Sequence, residues 1–192
     1  MTDDQDIEER LRANMIGTPK ILNGPILLSP YDPEWPMLFG QLERRIRSAL
    51  GSRVLLMEHV GSTSVPGLSA KPIIDIVLAV PDSNNEPAYV PPMESEGFKL
   101  TVREPDWFAH RMFRSLVPEG NIHLFTDGCE EIRRMILFRD WLRTNAEDRV
   151  RYESAKKELA SRTWKYVQNY ADAKSEVVTE ILGKTADWAA DR

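Results

Sequence analysis

The sequence predicts one layered domain of the α+β or α/β class, and three observations support this. Two short apolar runs rich in β-branched residues, Val54 to Val60 and Ile73 to Val80, are typical of buried strands. From Glu130 onward, apolar residues recur at helical spacing. The length of 192 residues suffices for one sizeable core and is too short to assume two.

The N-terminal third is predicted to contain two helices before the first strand. Residues 1–25 are predicted to be an extension, with a charged helix from Asp3 to Met15 and then a connector rich in Gly and Pro. An amphipathic helix follows and stops at Gly51. Its apolar residues recur at helical spacing: Trp35, Leu38, Phe39, Leu42, Ile46 and Ala49.

The remaining elements complete a sheet and then a helical region. A short helix is predicted from Pro91 to Gly97. Three strands follow, at Phe98 to Val102, Trp107 to Leu116 and Asn121 to Thr126. Three C-terminal helices come next, the last from Val167 to Leu182. We therefore expect a single domain over residues 26–185, with a sheet core in 26–128 and a helical part in 129–185.

Composition and charge narrow the function classes. The chain is 42% hydrophobic and 29% charged, as in ordinary soluble globular proteins. Its net charge of −5 disfavours broad nucleic-acid binding, which needs many cations for the phosphates. No apolar run approaches the roughly 20 residues of a membrane-spanning helix. The acidic N-terminus and the single Cys129 favour a cytoplasmic location, and no sequence feature indicates an oligomeric state.

The turn that follows the first strand is a candidate phosphate site. Gly61 and Ser62 form a tight turn of small residues, at which backbone N–H groups can approach a phosphate closely. Thr63 and Ser64 add two further hydroxyls. A purely structural turn is the alternative for this segment.

Asp75 interrupts the second apolar strand thirteen positions after Ser62. A carboxylate there must be paired, bind a cation or lie at the solvated end of the strand, because burying it alone is costly. A structural ion pair with Lys71 is one explanation. The other is the arrangement of nucleotidyltransferases, in which a Gly-Ser turn binds phosphate and a strand Asp binds Mg²⁺.

Several motifs resemble the GrpB family of the nucleotidyltransferase superfamily over about residues 26 to 182. They are YDPEW, EHVGSTSVPGLSAKPIIDI and LFRDWLR, together with Tyr152, Lys156 and Leu159. The resemblance implies a nucleotidyltransferase-like mixed β-sheet flanked by helices. It also implies binding of a nucleotide or another phosphorylated small molecule with Mg²⁺ or Mn²⁺, and transfer of a nucleotidyl group to a small acceptor.

The resemblance also assigns candidate site residues. Asp75 and His123 are the candidate catalytic residues and metal ligands, although a packed strand histidine is the alternative for His123. The candidate phosphate-binding residues are Gly61, Ser62, Thr63, Lys71, Arg111 and Arg114. Because residues of unequal parity on a strand face opposite sides, Arg111 and Arg114 are not expected in one cleft without a bulge.

One departure from the superfamily pattern leaves a second function open. Val77 stands where active nucleotidyltransferases usually carry a second acid. This favours a catalytically silent module on the same fold that senses a ligand or contacts another protein.

Overall fold

The fold is built on a mixed β-sheet, seen in a computed structural model that describes residues 2–19, 21–185 and Trp188. The strands are β1 (Leu56–Val60), β2 (Ile74–Val80), β3 (Lys99–Glu104), β4 (His110–Leu116) and β5 (Glu119–Thr126). Their order in the sheet is β1-β2-β5-β4-β3. The β2–β5 pair is parallel, whereas the other neighbouring pairs are antiparallel.

Helices flank both faces of this sheet. They are α1 (Thr2–Asn14), α2 (Trp35–Leu50), α3 (Val90–Ser95), α4 (Glu130–Thr144), α5 (Ala146–Ala160), α6 (Val167–Ala173) and α7 (Ser175–Gly183). Helices α2 and α3 bury their apolar residues with one face of the sheet in the main core. Helix α4 packs on the other face. The predicted α+β fold, a mixed sheet flanked by helices, is confirmed.

The pleat of β2 assigns Asp75 to the face covered by α4. Ile76 and Leu78 contribute to the main core with α2, whereas Val77 and Ala79 pack in the cluster beneath α4. Since residues two apart on a strand share a face, Asp75 lies on the α4 side. It is at the N-terminal end of β2, where apolar packing gives way to polar groups.

The N-terminal extension packs against the domain. The Ile16 N–H donates to the Thr101 carbonyl at 2.8 Å, and Arg10 forms an ion pair with Asp172. Ile7 is buried. Helix α1 thus connects strand β3 with helix α6, and it agrees with the helix predicted for residues 3 to 15.

Two predicted elements differ from the structure. The predicted strand from Trp107 starts only at His110, because Phe108 and Ala109 have positive φ angles of 53° and 48°. The predicted last helix is divided at Lys174 into α6 and α7. Its two halves bury apolar residues in different places.

The division follows from these two separate clusters. Tyr170 of α6 packs with Ile26 and Ala160, whereas Ile181 of α7 packs with Leu142 of α4. Helical periodicity alone does not separate two such destinations. None of the helices formed by the described residues is long and apolar enough to cross a bilayer.

A substitution at Gly120 would test the close packing between β2, β5 and α2. A Cβ atom there would lie 2.7 Å from Leu42 Cδ1 and 3.0 Å from the Ile74 carbonyl oxygen. Because Leu42 is fully buried, we expect Gly120→Ala to lower the free energy of unfolding by about 1–3 kcal/mol in urea denaturation. Gly183→Ala is the control, since its Cβ meets no atom within 4 Å. Equal stability of the two variants would contradict this packing.

Candidate functional site

A small cavity lies where the N-terminal end of β2 meets the Ser62–Ser64 turn and the helical region. Its volume is about 100 Å³. It is lined by Leu28, Ser62, Thr63, Ala70, Lys71, Ile73, Asp75, Asn121, Lys156, Tyr170 and Lys174. The structure therefore brings four of the predicted site residues together: Ser62, Thr63, Lys71 and Asp75.

The Asp75 carboxylate is held between a strand partner and a glycine. Asp75 and Asn121 are opposite each other in the parallel β2–β5 pair, and Asn121 Nδ2 donates to Asp75 Oδ1 at 3.0 Å. A Cβ on Gly61 would lie 2.5 Å from Asp75 Oδ2. Gly61 also has a φ of 67°, so both its conformation and this close approach require glycine. Burial raises the pKa of Asp75, against the Asn121 hydrogen bond and the Lys71 charge.

Three lysines and one carboxylate are among the described residues that line the cavity. Lys71 precedes β2, Lys156 lies on α5, and Lys174 lies at the break between α6 and α7. Burial lowers the pKa of Lys71 and of Lys174, and Asp75 opposes this effect on both. The charge of Lys71 lowers the pKa of Asp75, and Asp75 raises that of Lys71. The two side chains do not form a direct ion pair among those of the described residues. The site therefore has an excess of positive charge.

Lys156 is the most enclosed of these cations, with only 2% of its surface exposed. Its Nζ donates to Ser62 Oγ at 3.0 Å and to the Ser69 carbonyl. It also lies 5.0 Å from the centre of the Tyr152 ring. Burial, followed by repulsion from Lys174, lowers the pKa of Lys156 to about 7. A bound anion would relieve both effects.

Two arginines of α4 brace the turn from outside the cavity. Arg139 donates to the His59 carbonyl at 2.9 Å, and Arg143 donates twice to the Ser64 carbonyl, at 3.0 and 2.9 Å. Inside the turn, the Thr63 hydroxyl contacts His59 Nε2 at 3.0 Å. These contacts hold the end of β1 and the turn in one geometry. The predicted turn is thus rigidly supported by the helical region.

Neither of the two candidate arginines lines the cavity. Arg111 lies on the opposite face of the sheet, where it is buried and forms an ion pair with Glu86 at 2.6 Å. The structure therefore places Arg111 away from the other predicted phosphate-binding residues. Arg114 is opposite Asn121 across β4 and β5, pairs with Glu119, and lies close enough to lower the pKa of Lys71. The predicted difference in face is confirmed.

His123 belongs to a separate hydrogen-bonded chain. It shares a sheet face with Asn121 but does not line the cavity. Its Nδ1 lies 3.1 Å from His110 Nε2, and His110 Nδ1 lies 2.7 Å from a Glu104 oxygen. Burial and the neighbouring His110 lower the pKa of His123 to about 3. The structure does not bring His123 to Asp75 as a second metal ligand.

The available donors do not form a metal site by themselves. Among the described residues, no group of three or more His, Cys, Asp or Glu side chains is placed to hold a metal ion. Of the residues that the structure describes, Asp75 is the one carboxylate lining the cavity, and Val77 supplies no second one beside it. A divalent ion would need phosphate oxygens of a bound ligand as further ligands.

The structure adds site residues that the site prediction did not contain. They are Asn121, Tyr152, Lys156, Tyr170 and Lys174. Tyr152 and Lys156 belonged to a recognised motif without an assigned role. Asn121, Tyr170 and Lys174 could not be recognised as site residues from the sequence. The register of β5 and the break before α7 determine where they lie.

Comparisons with known proteins agree with the sequence motifs. The UPF0157 protein BH1888 of Halalkalibacterium halodurans is 53% identical over 175 residues, which cover 91% of this chain and 90% of that protein. The UPF0157 protein SCO7215 of Streptomyces coelicolor is 42% identical, with 88% and 91% covered. A dephospho-CoA kinase of Mycolicibacterium paratuberculosis is 27% identical over 92% of this chain but only 50% of the kinase.

A solved structure shares the fold. The crystal structure of the conserved protein GrpB from Enterococcus faecalis matches with a TM-score of 0.70 and 27% identity, covering 82% of this chain and 98% of that one. A family model described as GrpB protein matches residues 25–184, which include every residue lining the cavity. The chain therefore belongs to the GrpB family.

Proposed function

We propose that this GrpB-family protein binds a phosphorylated small molecule, such as a nucleotide, in the lysine-lined cavity. The observation that carries this proposal is the excess of basic over acidic side chains, since Lys71, Lys156 and Lys174 line a cavity with one described carboxylate. Burying like charges together is costly unless an anion compensates them. A phosphate group supplies two negative charges or nearly so, together with several hydrogen-bond acceptors.

The hydroxyls of the turn and Tyr170 complete the proposed binding site. Ser62 and Thr63 offer hydroxyl groups to phosphate oxygens, and Gly61 allows the turn to lie against Asp75. Lys174 lies 4.7 Å from the centre of the Tyr170 ring. The cavity has a volume of about 100 Å³, which is enough for a group of the size of a phosphate. The rest of such a ligand would extend towards solvent. Coenzyme A derivatives are reasonable test ligands, because a dephospho-CoA kinase contains a similar segment.

Nucleotidyl transfer with Mg²⁺ or Mn²⁺ is the reaction proposed for this site. Asp75 would hold the ion together with the ligand's phosphate oxygens, and the metal would supply charge neutralisation. The single carboxylate favours a second candidate function, a catalytically silent ligand sensor. The two differ in metal dependence, since the sensor's lysines neutralise phosphate without a metal.

Lys156→Met tests the role of the lysines in binding. We expect it to weaken binding of a nucleoside triphosphate about tenfold to hundredfold, because it removes a charge-assisted hydrogen bond. Isothermal titration calorimetry with ATP, GTP and coenzyme A derivatives measures this loss. Lys157→Met is the matched control, because the neighbouring Lys157 side chain is 58% exposed and pairs with Glu153. Equal affinities for the two variants would sink the proposed site.

Binding should also weaken with rising pH. The pKa of Lys156 is about 7 without ligand, and a bound phosphate raises it. Above pH 7 binding therefore takes up a proton, and the affinity falls by up to about tenfold per pH unit. Other charged or titratable groups around Lys156 are Lys71, Asp75, Tyr152, Glu153, Lys157, Tyr170 and Lys174.

Titrations between pH 7.5 and 9 measure this dependence, because the ligand's own phosphate, with a pKa near 6, is already ionised there. Lys156→Met should show a smaller slope than the wild type. A wild-type affinity that does not change over this range would contradict proton uptake by Lys156.

Asp75→Asn separates the enzyme from the sensor. If a metal acts at this site, ATP should raise the melting temperature further with Mg²⁺ than without it, following RT ln(1 + [L]/Kd). The variant should lose this additional shift while remaining folded, because Asn preserves the shape beside Gly61 and Asn121. An Mg²⁺-dependent shift of the same size in Asp75→Asn would rule out Asp75 as the ligand.

A further inference from the structure

Ser62 lies within a cluster of groups that can activate a hydroxyl. Its Oγ is 3.0 Å from Lys156 Nζ, and the phenol of Tyr152, whose pKa Ser62 lowers against the effect of burial, lies nearby. Lys156 and Tyr152 are both buried, whereas Ser62 lines the cavity. Ser62 is therefore accessible from the cavity on one side and held by the Lys156 amine on the other.

We propose that Ser62 is a nucleophile that accepts an acyl group from an activated acyl donor, with Lys156 as its general base. A serine paired with a buried lysine is one of the arrangements that replace the Ser-His pair in acyl transfer. This activity goes beyond phosphate binding and does not require a nucleotide.

The environment of Lys156 suits a base. It forms no ion pair among the described residues, and its Nζ contacts one hydroxyl and the Ser69 carbonyl. A neutral amine satisfies both contacts, since it donates to the carbonyl and accepts the Ser62 proton on its lone pair. Burial lowers the pKa of Lys156 to about 7, which leaves a large neutral fraction at physiological pH.

Tyr152 complements the pair as a donor. Burial raises its pKa to about 12, so its hydroxyl stays protonated near neutral pH. A protonated phenol beside Ser62 is a hydrogen-bond donor for negative charge that develops on Oγ. Lys71 and Lys174 face the same cavity and favour an electrophile whose carbonyl oxygen becomes negative during attack.

The acyl transfer balances with water as the final acceptor. The Ser62 hydroxyl gives its proton to Lys156 Nζ while Oγ bonds to the acyl carbon of an ester, thioester or acyl phosphate. The bond to the leaving group then breaks, and the leaving group takes the proton from Lys156. Water attacks the acyl-serine with Lys156 again as base, which releases a carboxylic acid and restores Ser62.

Covalent labelling with an alkyl fluorophosphonate tests this proposal. The reagent forms a bond between serine Oγ and phosphorus and releases fluoride, and it carries no negative charge. Labelling therefore does not depend on the proposed phosphate site. Peptide mass spectrometry of the full-length chain should locate the adduct on Ser62. We expect Ser62→Ala to lose this adduct, and Ser161→Ala, an exposed serine on the C-terminal side of α5, to label like the wild type.

Lys156→Arg distinguishes a base from a structural contact. Arginine retains the charge and hydrogen-bond donors but does not act as a base. Labelling of Ser62 should therefore slow at least about a hundredfold, while thermal unfolding shows whether the variant is folded. If Lys156→Arg does not fold, Lys156→Met replaces it in this experiment, because methionine also lacks a base. An adduct on Lys156 or elsewhere, or an unlabelled Ser62 in the wild type, overturns the proposal.

Discussion

The cost of burying the Asp75 carboxylate constrains the whole site. Asp75 lies on a core strand, and an unpaired charge there would destabilise the fold. The Asn121 hydrogen bond and the charges of lysines that line the same cavity offset this cost. Gly61 is required because any side chain at that position would collide with the carboxylate. The turn, the strand partner and the surrounding cations are therefore arranged around one acidic group.

The helical region is part of the site as well as of the fold. Helix α5 contributes Lys156, and the break between α6 and α7 contributes Lys174. Helix α4 contributes Arg139 and Arg143, which hold the backbone of the turn. Without these helices, the sheet would present Asp75 beside an unsupported loop. The motif LFRDWLR in α4 thus has a physical function, which is to position the turn for the cavity.

Under the proposed function, the three lysines of the cavity supply charge neutralisation beside a single described carboxylate. In the two-acid arrangement, metal ions neutralise the phosphate oxygens. Here Val77 supplies no second carboxylate, while three lysines face the same cavity. Lysine charges neutralise phosphate directly, but burial lowers their pKa values and makes them responsive to pH. The same burial leaves Lys156 able to accept a proton from Ser62.

Local residue patterns are sufficient to predict several elements of this fold. Strands β1 and β2 follow from their β-branched runs, helix α2 from its apolar spacing, and the proximity of Ser62 to Asp75 from a short connection between two adjacent strands. The family motifs also identified the chain's relatives, because they lie in consecutive segments. These features involve contacts between residues that are close in the chain.

Long-range packing and strand pairing determine which distant residues reach the cavity. The parallel register of β2 with β5 placed Asn121 opposite Asp75, and packing into two separate clusters broke the last helix at Lys174. The same register and pleat directed Arg111 to the opposite face and left His123 with His110. Strand order, register and helix packing depend on long-range contacts, and residue spacing along the chain does not specify them.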